Sequence, residues 1–294
     1  MYQEGITIAD FKDDQNLSVG YHDDDIVIID NVKGLVESRS ARVTMNVLVV
    51  AISGKAIGNV KGETIELNAN QVFVSSPNAT FNDFMMSPDF EFKAMFFTNR
   101  ILQSFLREKM GVWNEMIYVH RIRVFTMGEL DVVFFSHFYD MLRMCIYSDQ
   151  NNPYKTDVIQ SLLRSAFLAL CGRMSQILPE NNQLQLKQPD NIFQRFIDLL
   201  NHSKTKHRTV ESYADELCIS SKYLSAICKK NSGKTANQWI TEHVLEDIRY
   251  YLQSSDLSIK QISSLVGFPN TSFFGRYVKE HLGKTPLQIR NNRR

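Results

Sequence analysis

Ser221-Lys-Tyr-Leu-Ser-Ala-Ile-Cys-Lys-Lys-Asn-Ser-Gly233-Lys-Thr235 ends on a tripeptide that returns fifty positions later as Gly283-Lys284-Thr285. Self-similarity at a fixed period marks a repeated supersecondary unit. Upstream of each copy stands the same order: an amphipathic helix, a tight break, a second helix. In the first copy Val210, Tyr213, Ala214 and Leu217 recur at helical spacing, Cys218-Ile219-Ser220 interrupts, and Leu224, Ile227 and Cys228 form the next apolar face. In the second, Ile259, Ile262, Ser263 and Val266 match, Gly267-Phe268-Pro269-Asn270 breaks the chain, and Phe274, Tyr277 and Val278 follow. Each copy is a candidate helix-turn-helix, in which the second helix enters the DNA major groove with its N-terminal residues at base edges.

The outward positions of the two second helices are polar, as groove contact requires. They are Ser221, Lys222 and Ser225 in the first and Thr271, Ser272 and Arg276 in the second. Ser220 and Asn270 are N-cap residues, and the amides of the helix starts they introduce suit a phosphate. Lys229, Lys230 and Lys279 lie further along, placed for phosphates or solvent. Arg276 stands four positions after Ser272 on the same face, where arginine can make a bidentate contact to guanine. A phosphate clamp or an ion pair with Glu280 are the other roles open to it. Between the copies, Ala236 to Leu252 carries Trp239, Ile240, Leu245, Ile248 and Leu252. As one helix it spans about 25 Å. A spacer of that order holds two recognition helices near the roughly 34 Å between successive turns of one DNA face. A helical bundle with solvated basic faces is the alternative reading of the same pattern.

Charge separates this region from the rest. From Lys187 to Arg294 there are 17 Lys+Arg against 10 Asp+Glu, a balance of +7, whereas residues 1–186 hold 16 basic against 22 acidic. The formal net charge of +1 over 294 residues hides a basic third that suits a polyanion.

Upstream the pattern is different. Ile26–Ile29, Met45–Ile52, Thr64–Leu67, Gln71–Ser75 and Glu91–Phe97 are β-branched or aromatic runs. Turn residues separate them, at Ser53-Gly54-Lys55, Lys61-Gly62-Glu63, Asn68-Ala69-Asn70 and Ser76-Pro77-Asn78. Residues 1–127 therefore read as short strands in a small barrel or sandwich. Two helical stripes follow, one through Leu130, Phe134, Phe138, Met141 and Cys145, the other through Val158, Leu162, Leu163, Phe167, Leu170 and Met174. Joined by a short loop they pack antiparallel, and the stripes serve either as a dimer seam or as a cover for the barrel. Pro179 to Asp190 has linker composition.

Several classes are excluded by the same reading. No apolar run reaches the ~18 residues of a membrane span, and Met1-Tyr2-Gln3-Glu4 lacks a signal-peptide start, so the chain is expected in the cytoplasm. The four cysteines (Cys145, Cys171, Cys218, Cys228) form no CxxC pair and read as small buried hydrophobes in a reducing compartment. The front region has His22, His120 and His137, with no His-x-His pair, and the chain has no nucleophile elbow, P-loop or dinucleotide fingerprint. Neither a catalytic nor a metal-ligating set is expected, and no cofactor.

Over Phe193 to Arg290 the chain resembles the AraC/XylS family of bacterial transcription regulators. The resemblance rests on Ser221 to Gly233, on Ile262-Ser-Ser-Leu-Val-Gly-Phe268, and on Phe273-Phe-Gly-Arg-Tyr-Val-Lys-Glu-His-Leu-Gly-Lys-Thr-Pro286. The last stretch is similar to the family signature of aromatic-x-x-Arg-x-aromatic-Lys closing on Gly-x-[ST]-Pro. Val278 and Cys228 stand where the family more often has an aromatic, and Ala226 stands where longer polar side chains often read bases. The resemblance implies a cupin-like effector-binding barrel and a dimerisation helix pair in front, with double-stranded promoter DNA and RNA polymerase as partners and activation as the outcome. Residues lining such a barrel would come from one face of each strand, and Asn46, Asn82, Phe84, Phe92 and Phe96 are the candidates.

The reading is thus a multidomain chain. Residues 1–127 form a mainly β, cupin-like barrel, 128–178 a helical pair for homodimerisation, 179–190 a linker, and 191–294 an all-α domain with two helix-turn-helix units joined by a long helix. Two rivals stay open: an effector-independent DNA-binding protein whose front region serves assembly, and a cupin enzyme fused to a DNA-binding domain. Residues 187–294 are expected to bind DNA by themselves.

Overall fold

Among the described residues, alternating β-branched and aromatic side chains build ten strands in the front of the chain. They are β1 (Val19–His22), β2 (Ile26–Asp30), β3 (Ala41–Val43), β4 (Asn46–Ser53), β5 (Lys55–Val60), β6 (Glu63–Asn68), β7 (Gln71–Ser75), β8 (Ala79–Met86), β9 (Glu91–Phe97) and β10 (Val124–Thr126). The structure is a computed structural model that describes residues 19–30, 41–148, 151–178, 188–203, 207 and 209–291. The strands form two antiparallel sheets, one ordered β1-β2-β9-β4-β7-β10 and the other β3-β8-β5-β6. β4 lies beside β9 with Val47 opposite Phe96 and Ala51 opposite Phe92. One face of the larger sheet sends Val27, Ile29, Val47, Phe73, Ala94 and Phe96 into a core completed by Val43, Ala56, Val60 and Leu67 of the smaller one. Lys61 (φ 53°) and Gly62 (φ 84°) form the two-residue corner between β5 and β6, both in the left-handed region a primed hairpin turn needs.

Strands do not account for all of residues 1–127. Thr98 accepts from the Ile101 amide and opens α1 (Asn99–Leu106), whose Ile101, Leu102, Phe105 and Leu106 are buried. A short turn leads into α2 (Met110–Asn114) and a wider helical turn at Glu115–Val119. The chain then divides into two compact units, Met1–Arg107 with His120–Leu178, and Glu108–Val119 with Pro179–Arg294. The boundary expected at 127/128 is not where this division falls.

The two expected helices are α3 (Glu129–Tyr147) and α4 (Lys155–Ile177). α4 buries Ile159, Leu163, Phe167, Cys171 and Met174 within its own unit. The Phe167 ring meets Phe97 edge-on at 4.9 Å and Phe105 at 5.7 Å. The stripe through Leu163, Phe167 and Met174 is therefore a cover for the sheet rather than a seam. α3 buries Phe138 and Leu142 and leaves Leu130, Val133, Phe134, Met141, Met144 and Tyr147 exposed.

The second unit is helical. α5 (Gln188–His202) starts inside the stretch read as linker, because Pro189 in a first turn gives up no hydrogen bond. Residues 188–190 are thus helix, and the rest of that stretch, 179–187, lies outside the described residues. Then come α6 (Val210–Glu216), α7 (Ser221–Ser232), α8 (Ala236–Ser254), α9 (Ile259–Val266), α10 (Thr271–Leu282) and α11 (Pro286–Asn291). α8 is the axis, packing against α6, α7, α9, α10 and α11. The segment 108–119 packs on α5, with the buried Tyr118 ring edge-on to Phe193 at 6.4 Å and to Trp239 at 5.4 Å. Gln194 donates to the Glu115 carboxylate at 3.1 Å.

Of the four cysteines, Cys171 and Cys228 are buried, and burial pushes both thiols up to about 12. Cys145 is half-buried and Cys218 is exposed, so the expectation of four buried cysteines is corrected. Among the described residues no helix is long and apolar enough to cross a membrane.

Candidate nucleic-acid interface

The two helix pairs are built from matching hydrogen bonds. Thr209 caps α6 by accepting from the Ser212 amide at 3.2 Å, and Ser258 caps α9 by accepting from Gln261 at the same distance. Each first helix closes on a left-handed residue, Cys218 at φ 58° and Gly267 at φ 99°. The Ile219 amide donates back to Ala214 at 3.0 Å, and Phe268 donates to Ser263 at 2.9 Å. This is the reach-back bond of a Schellman corner, and it turns the chain sharply into the next helix.

The second helices begin on the residues expected. Ser220 accepts from Tyr223 at 3.2 Å, while the Asn270 side chain accepts from both Ser272 and Phe273 at 3.0 Å. Both helices run twelve residues and end on glycine, Gly233 at φ 79° and Gly283 at φ 70°. Thr235 with Gln238, and Thr285 with Gln288, then form the same reciprocal cap at the start of the following helix.

Ser220, Lys222, Lys229, Asn270, Thr271, Ser272, Arg276 and Lys279 are exposed, and Ser221 and Ser225 are half-buried. All ten lie on α7, α10 or their caps. Inward, Leu224, Cys228, Phe274 and Val278 are fully buried, and Tyr277 is partly covered. Arg276 leans over the ring of Phe273, its guanidinium carbon 4.6 Å from the centroid. A helical side chain covers the turn N-terminal to its own Cα, so this contact carries the positive charge toward the first turn of α10.

Two residues of this surface escape a reading of polar positions alone. Tyr223 is 44% exposed and Phe273 52% exposed, each the third residue of its helix. The fifty-residue offset relates them, and a large aromatic kept outward at both places is the signal that finds them. Next to the second corner, His207 stacks on Phe268 at 3.8 Å and meets Tyr277 edge-on at 5.3 Å. Burial lowers the His207 imidazole pKa and raises that of the Tyr277 hydroxyl.

None of the five effector candidates lines the cavity that the described residues form between the larger sheet and α3 and α4. Phe92 and Phe96 belong to the core between the sheets, Phe92 stacking on Phe90 at 5.2 Å. Phe84 lies flat over Gly58, where a Cβ would come within 2.6 Å of its ring. Asn46 is buried, its amide donating to the Phe97 carbonyl at 3.2 Å and to the Asn99 side chain at 2.8 Å, which ties β4 to the start of α1. Asn82 is half-buried with its carbonyl oxygen enclosed. Strand alternation identifies which residues turn inward but not which neighbours they meet there.

Residues 213–292 match the family model described as a helix-turn-helix domain. Over 81 residues the chain is 31% identical to the Msm operon regulatory protein of Streptococcus mutans, covering 28% of this chain and 29% of that protein. Over 147 residues it is 25% identical to the HTH-type transcriptional activator RhaR of Escherichia coli, 49% of this chain and 50% of the relative. The chain thus spans half or less of the length of these curated relatives, which are named as regulators and not as enzymes. Among solved structures it is similar to the C-terminal domain of AraT, a response regulator from Geobacillus stearothermophilus. That match has 28% identity and a TM-score of 0.33, over 36% of this chain and 89% of the other.

Proposed function

We propose that this chain, which carries a C-terminal helix-turn-helix domain of the AraC/XylS type, binds double-stranded promoter DNA in a sequence-specific way and regulates transcription from the cytoplasm. The observation that carries the reading is the duplicated exposed face. α7 and α10 start on equivalent caps, bury equivalent apolar positions and leave polar and basic side chains outward. α8, 19 residues and about 28 Å long, joins the two pairs, a length of the order of the roughly 34 Å between successive turns of one DNA face. Lys222, Lys229 and Lys279 take phosphates, and Arg276 reads a base. Response to a small-molecule effector, activation through RNA polymerase and a cupin-like character of the front unit complete the proposal.

A homodimer belongs to the same reading, with its contact on α3 instead of α4. Leu130, Val133, Phe134, Met141 and Met144 recur at three- and four-residue steps on one exposed side of α3, whereas Leu163 is fully buried.

The test is a footprint of the full chain on the DNA upstream of its own gene, repeated across a salt series. Affinity is expected to fall linearly with salt on a double-logarithmic plot as phosphate counterions are released. A folded chain that gives no footprint, or whose binding ignores salt, overturns the assignment.

A further inference from the structure

We propose that the front unit binds a small, uncharged aromatic molecule outside its sheet core, in a cavity between the six-stranded sheet and the helices α3 and α4. The cavity measures about 100 Å³. An enclosed apolar cavity of about 150 Å³ takes up benzene, so this smaller cavity, which opens on one side to solvent, has room for one ring and no more. Its existence follows from strand alternation. Val47, Ala94 and Phe96 turn into the sheet core, so their neighbours Leu48 and Met95 turn to the helices and floor the cavity. Phe134 and Phe138 from α3 and Phe167 from α4 form the walls. α4 presents Ala166 and Ala169 to the same space, three residues apart and too short to fill it.

The polar rim decides the charge of the occupant. Arg173 Nε lies 3.2 Å from Asp131 Oδ2, which also accepts from the Gly128 amide at 2.8 Å. Arg173 Nη2 donates to the Thr126 carbonyl at 3.3 Å. The two rim charges cancel one another, and an ionised ligand would have to break their pair. A neutral ring instead gains contact with the aromatic and thioether walls, while the carboxylate keeps acceptor capacity for one hydroxyl or N–H. Phe134, 47% exposed, lines the cavity and also belongs to the outward stripe of α3. An occupant packing against it alters the face assigned to the second copy. This link to regulation rests on the function proposed above; the binding itself does not.

Phenol serves as the probe, titrated into the full chain with no DNA present and followed by calorimetry and saturation-transfer NMR. Wild type is expected to bind phenol and to bind benzoate about tenfold more weakly or less. Ala169→Leu, at an exposed position, fills the cavity from its edge and is expected to weaken phenol about tenfold with an unchanged melting temperature. Ala166→Leu repeats the test from deeper in the wall. Absence of phenol binding, equal affinity in Ala169→Leu, or tighter binding of benzoate each overturns the proposal. Failure of the chain to bind DNA leaves these readouts untouched, so the two readings fall separately.

Discussion

The first and second helix pairs share caps, closing glycines and buried faces, yet they differ at the corner and at one outward position. Cys218 takes a left-handed conformation that costs a residue with a Cβ roughly 1–2 kcal/mol, whereas Gly267 takes it freely. Fifty residues before Arg276 stands Ala226, exposed and with no hydrogen-bond donor on its side chain. The frame is duplicated and the outward side chains are not. Under the function proposed above, the first pair would hold phosphate through Lys222 and Lys229, and the second would add a base-reading arginine, Arg276, which lies over the Phe273 ring.

The largest effects test the shared frame. Phe274→Ala is expected to cost about 3–5 kcal/mol and Leu224→Ala about 2–5 kcal/mol, both side chains being fully buried. Urea unfolding measures both. A severe Phe274→Ala beside a mild Leu224→Ala would break the equivalence.

Arg276→Ala comes next. It should remove roughly 1–3 kcal/mol of discrimination at one or two operator base pairs and leave binding to random DNA nearly unchanged. Competition binding with single-base operator variants reads this directly. Equal weakening on operator and random DNA assigns Arg276 to phosphate and erases the difference between the pairs.

Exchanging the corners sharpens the comparison further. Gly267→Ala should lower stability by about 1–2 kcal/mol. Cys218→Gly should raise it by less than about 1 kcal/mol, because relief of the left-handed residue is offset by the entropy of glycine. Thermal melts of the two variants are expected to move in opposite directions.

The smallest effect is a pH dependence confined to the second corner. Burial lowers the folded-state pKa of His207 below its unfolded value of about 6.5. The unfolded chain then binds more protons in that window, so stability is full above about pH 6.5 and declines as pH falls through it. His207→Phe keeps the stacking on Phe268 and is expected to flatten the decline, measured by chemical unfolding at pH 7.5 and 5.5. An unchanged slope removes His207 from the account.

Much of the helical unit is legible in the sequence alone, because caps, corners and apolar stripes are local. Ser220, Asn270, Gly233 and Gly283 announce their backbone roles by residue type alone. The front unit is less legible because its decisive facts are long-range. β4 pairs with β7 and β9, and no local pattern near Leu48 or Met95 shows that a helix will stand off from them and leave a cavity. Phe92 and Phe96 point inward as alternation requires, and there they join the buried cluster shared by both sheets, a partnership that no local pattern announces. The helical stretch after Phe97 lies between β9 and β10, so a reading of 1–127 by its strand runs passes over it. The α4 stripe has the same spacing whether it meets a sheet or a second copy, and Phe97 decides it by meeting Phe167.

The assignment of Glu108–Val119 to the helical unit bears on the order in which the protein is made. Tyr118 leaves the ribosome long before Phe193 and Trp239, the rings it packs against. The nascent front unit must therefore fold around a short apolar excursion, with Trp113, Met116 and Tyr118 waiting for some seventy or more residues of synthesis. A piece cut at the linker inherits the opposite defect. Residues 187–294 alone would lose the Tyr118 ring from the sides of Phe193 and Trp239, which still pack on each other at 6.0 Å, so a fragment supplied with residues 108–119, as a covalent graft or as a peptide in trans, is expected to melt higher than the bare one.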